Sequence, residues 1–178
     1  MDSIRDYRIQ ITGPSGSGKS YFAEKLKLFG YNAIDADRID RLGKFVNKNG
    51  EEVEYDDGGD LEWLINNIWV WDISILKNYL SNQKRIIIFE DATNEIEASK
   101  EFDYIFYLNL PKDEILNNLK SEGRANPYGK TEVQQTYANK KIDEFYTNIP
   151  KAWIALNSRD PEKLINEIEN NIKAKLRK

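Results

Sequence analysis

The sequence predicts an α/β fold in which helices pack on a parallel sheet of five strands. Three observations carry this reading. Five short apolar runs alternate with stretches of helical periodicity along the 178 residues. One run, "RIIIF" at 85–89, is apolar almost throughout, as a strand covered on both faces must be. A glycine-rich loop, "GPSGSGKS" at 13–20, joins the first run to the first helix. Parallel neighbours need a crossover connection, and the intervening helices supply it. At roughly 100–200 residues per domain, the length suits one domain spanning 1–178.

The strands are read at 7–12, 32–35, 85–89, 104–110 and 152–157. The first helix covers 19–29, with Phe22, Ala23, Leu26 and Phe29 on one face. A long helix is read over 63–80 from the spacing of Leu64, Ile65, Ile68, Ile75, Leu76 and Tyr79. Pro111 opens a helix carrying Ile115, Leu116 and Leu119, since proline suits a first helical turn. Asp160 and Pro161 begin the last helix, where Leu164, Ile168, Ile172 and Leu176 recur in steps of four. Two segments interrupt the alternation. At 44–55, Asn49 and Gly50 sit between extended arms, which predicts a hairpin. The stretch 121–133 is rich in glycine, proline and charge.

Composition narrows the chemistry. The net charge of −4 gives no global attraction for nucleic acid or acidic membranes. With no cysteine and no histidine, thiolate chemistry is excluded and a general base must be a carboxylate, Lys or Tyr. The N-terminal stretch has no apolar segment and no apolar run approaches ~18 residues, so a soluble, cytoplasmic protein with no membrane partner is expected.

The loop at 13–20 fits G-x-x-x-x-G-K-[ST] through Gly13, Gly18, Lys19 and Ser20. Glycines let the backbone curl so that successive N–H groups point at phosphate oxygens. The helix that follows adds the positive end of its dipole. Lys19 would reach the β- and γ-phosphates, and the Ser20 hydroxyl would ligate Mg²⁺. Gly13, Ser15, Gly16, Ser17, Gly18, Lys19 and Ser20 are therefore the expected nucleotide-phosphate site.

"GPSGSGKS" together with "YNAIDAD" after the second strand resembles the P-loop kinases of small molecules: adenylate, shikimate and gluconate kinases. The segment around Arg124 adds weakly to the likeness. The resemblance implies a sheet ordered 2-3-1-4-5, a short lid at about 121–133 and an acceptor-binding region at about 38–80. It implies ATP and Mg²⁺ as cofactors and a small-molecule acceptor. By the same likeness, Asp35 would lie near Mg²⁺ through water and Asp37 would hold the acceptor hydroxyl. Position supports this, because strand ends beside the phosphate loop lie where ligands bind, and kinases use an aspartate for the hydroxyl proton. The alternative is that one aspartate caps the helix that follows.

Other positions carry open alternatives. Arg38 resembles the acceptor-site arginine of polynucleotide 5′-kinases, where it would steady phosphate, or it is a surface residue. "IIIFED" ends in Glu90 and Asp91, of which Glu90 is assigned to the metal set while the choice between the two stays open. Shikimate kinases have glycines after that strand, a departure that speaks against shikimate as substrate. Arg124, with Lys130 near it, would bring a lid cation to the transferring phosphoryl. Trp71, with Trp69, lines either the acceptor cleft or the core; in the cleft, Asp72 would hydrogen-bond the acceptor. Arg159, after the fifth strand, would stack on adenine.

The expected function is ATP- and Mg²⁺-dependent phosphoryl transfer to a small metabolite, with a nucleoside or nucleotide as one candidate acceptor. Lys19, Asp37 and Arg124 are the expected catalytic residues. A polynucleotide 5′-kinase is the alternative enzyme, disfavoured by the acidic balance. A non-catalytic nucleotide switch is the alternative class. A guanine-specific N-K-x-D is absent, since Asn47 and Lys48 are followed by Asn49 and Gly50.

Overall fold

The computed structural model describes residues 4–55, 61–121 and 128–177. In chain order the main elements are β1 (Arg8–Thr12), α1 (Lys19–Leu28), β2 (Ala33–Asp35), β3 (Gly43–Asn47) and β4 (Glu52–Val53). Next come α2 (Leu61–Asn66), β5 (Asn67–Trp71), α3 (Ile73–Ser81), β6 (Ile86–Glu90) and α4 (Glu95–Ala98). The chain ends with β7 (Tyr104–Leu108), α5 (Lys112–Lys120), α6 (Glu132–Asn148), β8 (Ile154–Leu156) and α7 (Pro161–Leu176).

Five strands form one sheet in the order β2-β6-β1-β7-β8, and every neighbouring pair is parallel. Ranked within this sheet, the order is 2-3-1-4-5, as expected. Side chains alternate between its faces. Ile9 and Ile11 of β1, with Ile87 and Phe89 of β6, meet Phe22 and Leu26 of α1 and Leu164, Ile168 and Ile172 of α7 in one core. Ile86 and Ile88 face the other way, onto Leu76 and Leu80 of α3 and Leu42 and Trp71 in a second core. All five residues of β6 are buried, which explains its unbroken apolar run. Asp160 caps α7 by accepting from the Lys163 N–H at 2.9 Å, with Pro161 in the first turn.

A second sheet, β4-β3-β5, lies between β2 and β6 in sequence. The expected hairpin is its β3–β4 arm. The Asn47 carboxamide oxygen holds the turn by accepting from the N–H groups of Asn49 and Glu51 at 2.9 and 3.0 Å. The expected helix over 63–80 is corrected: it is α2, then β5, then α3. "NIWVW" pairs antiparallel with β3 from Asn67↔Asn47 to Trp71↔Gly43. β-branched and aromatic residues favour that pairing, and the partner strand is 20 or more residues away, beyond the reach of local periodicity. Asp72 then starts α3, its Oδ1 accepting from Ser74 N–H at 3.0 Å and Ile75 N–H at 3.3 Å. Asp72 is thus a cap, ion-paired to Lys44 at 3.1 Å, and not a group directed at an acceptor.

Gly43 is the point where β3 lets an indole cross it. A Cβ there would lie 2.0 Å from Cζ2 of Trp69. Gly43→Ala must therefore displace that ring. Overpacking of this kind costs ~1–3 kcal/mol, so the variant should melt at a lower temperature with an altered tryptophan emission. An unchanged melting temperature would show that Trp69 is not fixed against β3.

Candidate functional site

The loop between β1 and α1 curls tightly. Ser17 N–H donates to Pro14 O at 3.0 Å, and Phe22 N–H donates to Gly18 O at 3.0 Å as α1 begins. Gly16 has φ +90°, and a Cβ there would stand 2.8 Å from both Ile115 O and Leu119 Cγ. Conformation and space both demand glycine. The Asn118 amide donates to Gly16 O at 3.0 Å, so α5 braces the loop from below. The Ser17 hydroxyl is buried with no partner among the described residues. The Lys19 ammonium donates to Gly13 O at 2.7 Å, to Pro14 O at 3.0 Å and to the Asp91 carboxylate at 3.0 Å. Gly13, Ser15, Gly16, Ser17, Gly18 and Lys19 lie in one tight turn between β1 and α1, with Ser20 exposed on the first turn of α1.

At the end of β2 the two aspartates divide their work. Oδ1 of Asp35 accepts from the Asp37 N–H at 3.1 Å and caps the short turn Ala36–Arg38. Asp37 is carried into the cleft wall beside Gly13, Pro14 and Asp91. Its carboxyl is raised to about 6, first by desolvation between the walls, then by the charges of Asp35 and Asp91, with Lys19 opposing. The residue is open to the cleft, so the direction follows from crowding by walls and acids. Arg38 points elsewhere. It pairs with Glu24 of α1 on the solvent side and does not line the cleft.

Residues 90–95 join the pieces. Glu90 is fully buried on the face of Gln10 and Thr12. It accepts from the Gln10 amide at 2.7 Å and from Ala92 N–H at 2.8 Å. Asp91, one residue on, is the acid that reaches Lys19. Glu90, assigned from sequence to the metal set, therefore lies behind the strand edge and Asp91 lies at it. Glu95 accepts from the Thr12 hydroxyl at 2.5 Å and lines the cleft. Burial raises Glu90 to about 7 and Glu95 to about 8; the charge of Asp91 pushes Glu90 further up, and that of Glu90 pushes Glu95, so the pair keeps a proton at neutral pH.

The cleft has a volume of about 840 Å³. One end is the phosphate loop with Asp37 and Asp91; the other is β3, β5 and the inward face of α6. The Tyr146 hydroxyl donates to Leu108 O at 2.9 Å and accepts from Leu110 N–H at 3.2 Å, fixing α6 to the exit of β7. Trp69 lines the cleft. Trp71 is 3% exposed and belongs to the second core, which decides between the two tryptophans. Arg159 stands after β8, where Glu114 accepts from it at 2.9 Å and the carbonyls of Asn157 and Asn109 at 2.6 and 3.2 Å; it does not line the cleft. Arg124 lies outside the described residues. Lys130 donates to Ser121 O, and the Gln134 side chain accepts from the N–H groups of Gly129 and Lys130 at 3.0 and 3.1 Å, closing the base of the expected lid segment.

Gln10, Thr12, Glu95 and the α6 face are functional candidates missed in the sequence reading. Gln10 and Thr12 are polar residues within a central strand, a signal in themselves. Tyr137, Lys141, Glu144 and Asn148 recur at helical spacing on one face of α6.

The side chains at the loop and strand ends that could hold a divalent metal are the Ser20 hydroxyl and the carboxylates of Asp35 and Asp91. No group of three or more acidic ligands occurs among the described residues. That set suits Mg²⁺, which is usually held by one or two carboxylates and the phosphates of a substrate. No helix among the described residues is long and apolar enough to cross a membrane.

No family model and no curated protein matches the sequence. Solved structures do match, and they define the class: the chain has the fold of the P-loop small-molecule kinases. It is similar to a shikimate kinase from Acinetobacter baumannii in complex with shikimate, at 17% identity over 95% of this chain and 94% of that one, TM-score 0.58. A deoxyadenosine kinase from M. mycoides with bound dATP matches at 19% identity over 93% and 98%, TM-score 0.54. A gluconokinase from Sinorhizobium meliloti 1021 matches at 12% identity over 96% and 98%, TM-score 0.53.

The buried acids give a pH signature. A carboxyl whose pKa is raised on folding binds a proton that the unfolded chain has released. Its stabilising effect is complete below the ordinary carboxylate range and is lost as pH rises through the folded value. For Glu90 and Glu95 the window runs from about 4.5 to about 8. The melting temperature of Glu95→Gln should fall less steeply than that of the wild type across this window. Parallel curves would show that the pair holds no proton.

Proposed function

We propose that the chain is an ATP- and Mg²⁺-dependent kinase that transfers the γ-phosphoryl group to a hydroxyl of a small metabolite. The observation that carries this is the convergence of Lys19, Asp37 and Asp91 at the mouth of a cleft large enough for a second substrate. The kinase fold of the structural neighbours supports it. We further propose that 1–178 acts as one kinase domain, with the acceptor region at about 38–80 and the lid at about 121–133.

In this mechanism the loop of Gly13, Ser15, Gly16, Ser17 and Gly18 cradles the triphosphate through backbone N–H groups other than that of Ser17, which closes the turn on Pro14 O, and Lys19 exchanges its carbonyl partners for phosphate oxygens. Ser20, with Asp35 and Asp91, would hold Mg²⁺, which would neutralise charge at the phosphates. Asp35 fixes the turn that presents Asp37. Asp37 orients the acceptor hydroxyl and accepts its proton. The new bond joins the acceptor oxygen to phosphorus, the bond to the β-phosphate oxygen breaks, and ADP leaves. Arg124 is the proposed lid cation on the transferring group, and Arg159, at the exit of β8, the proposed partner of the adenine.

Two variants test this. Lys19→Ala should abolish ATP consumption, since it removes the cation on the β- and γ-phosphates. Asp37→Asn should bind Mg²⁺·ATP like the wild type and transfer about 10²-fold more slowly, on the scale of general-base catalysis. Normal turnover in either variant refutes the assignment it tests, as does a loss in Asp37→Asn that is wholly one of nucleotide binding.

A further inference from the structure

The acceptor end of the cleft has a definite chemistry. Its wall is aromatic: Phe45, Tyr55 and Trp69 on one side, Tyr137 and Phe145 of α6 on the other. The first three rings hold one another. Phe45 stacks on Tyr55 at 5.1 Å and 13°, and Trp69 tilts against Phe45 at 5.0 Å and 60°. A wall fixed in this way binds a flat group with little ordering cost, because its rings are already immobilised.

Among the described lining residues, carboxyl groups outnumber cations. Asp37, Asp91, Glu95 and Glu144 line the cleft, and the cation among the described lining residues is Lys141. That ammonium already bonds Glu144 at 2.9 Å, as Lys19 bonds Asp91 at 3.0 Å. The two lining carboxamides are each anchored by one N–H, Asn67 on Trp63 O and Asn148 on Glu144 O, both at 2.8 Å, so each keeps its oxygen and one further N–H for a ligand. Among the described residues, a carboxylate or phosphate on the acceptor would meet four carboxyls and one lysine already paired to Glu144, which is unfavourable. A ring amine or N–H would instead find acceptors in those carboxyls.

We propose that the acceptor is an uncharged, amino-bearing heteroaromatic alcohol: a flat ring carrying N–H donors, linked to the hydroxyl that meets Asp37, with no acid group. This deepens the kinase reading and rests on it for the fate of the hydroxyl. Phosphorylation makes an anion that suits the acidic cleft less well than its precursor, which favours release. It also places the reaction at the first phosphorylation of such an alcohol and not at a later one.

The test uses the full chain and matched probes. Adenosine, cytidine and 4-amino-5-hydroxymethyl-2-methylpyrimidine are compared with their own monophosphates and with shikimate and gluconate. Binding is read by tryptophan fluorescence, and phosphoryl transfer separately by ATP consumption. At least one uncharged amino heterocycle should bind about tenfold or more tighter than its monophosphate and than either acid. Trp69→Ala should weaken that compound about tenfold while leaving ATP titration unchanged. Because Trp69 also packs on β3, Tyr137→Leu on the opposite wall provides a second variant with the same expectation. Equal or tighter binding of a monophosphate or sugar acid overturns the proposal, as does failure of every uncharged heterocycle to bind. Binding of these heterocycles without phosphoryl transfer upholds the acceptor chemistry and sinks the kinase reading; transfer to shikimate or gluconate in preference does the reverse.

Discussion

The pinning of residues 90–95 is the constraint on which the rest of the cleft depends. Glu90 is tied to the central strand through Gln10, and Asp91 to the phosphate-loop lysine. Thr93 N–H donates to Trp69 O at 2.8 Å, and the Asn94 side chain pairs with both backbone groups of Trp71 at 2.9 Å. Glu95 returns to β1 through Thr12. Six consecutive residues therefore fasten the edge of the parallel sheet, the phosphate loop and the three-stranded sheet to one another. An aspartate that moves with the phosphate loop at one end and a carboxamide that continues the ladder of β5 at the other leave little freedom between them.

The electrostatics follow from the same arrangement. Asp35, Asp37 and Asp91 gather at one sheet edge with Lys19 as their counter-charge, and Glu90 and Glu95 lie just behind it. Like charges this close cannot all be ionised without a cation. The chain meets the problem in two ways. Toward the interior it retains a proton, because burial removes water from Glu90 and Glu95. Toward the cleft the ammonium of Lys19 pairs with Asp91 and its charge offsets part of the upward push on Asp37. An acid-rich edge of this kind suits a substrate that arrives with its own divalent metal, since that metal enters a site already poor in positive charge.

How much of this is legible in the sequence depends on how far apart the interacting residues lie. The phosphate loop is read at once because Gly13, Gly18, Lys19 and Ser20 are contiguous and their chemistry is local. The parallel sheet is read from β6, whose burial on both faces leaves an apolar run. β5 is not, because Ile68 falls into a helical rhythm with Leu64 and Ile75, and what makes it a strand is β3, far off in the chain. The choice between Trp69 and Trp71 turns on strand register, since adjacent odd residues share a face in a flat strand. The difference arises because Trp71 closes against Leu42 and Leu76 while Trp69 crosses Gly43. Glu90 and Asp91 are neighbours in sequence but fall on opposite sides of the strand edge, a distinction that composition and motif do not encode.

The topology explains why the phosphate loop and the aromatic wall lie in separate parts of the chain. β2 and β6 are parallel neighbours, so the chain between them leaves at the C-terminal end of β2 and crosses to the opposite end of the sheet before β6 begins. The insertion does this as a three-stranded sheet with its own helices, packed on the second core through Leu42, Trp71 and Leu76. The edge it leaves carries Asp37, and β6 runs back to that same edge with Asp91 just beyond its end. The proposed phosphoryl chemistry would thereby rest on strand ends that the sheet holds in register, Asp35 opposite Phe89 and Thr12 opposite Glu90. The proposed acceptor would meet rings carried by the insertion and by α6, outside that register. On that reading one fold holds the reaction constant while its insertion and α6 select the alcohol.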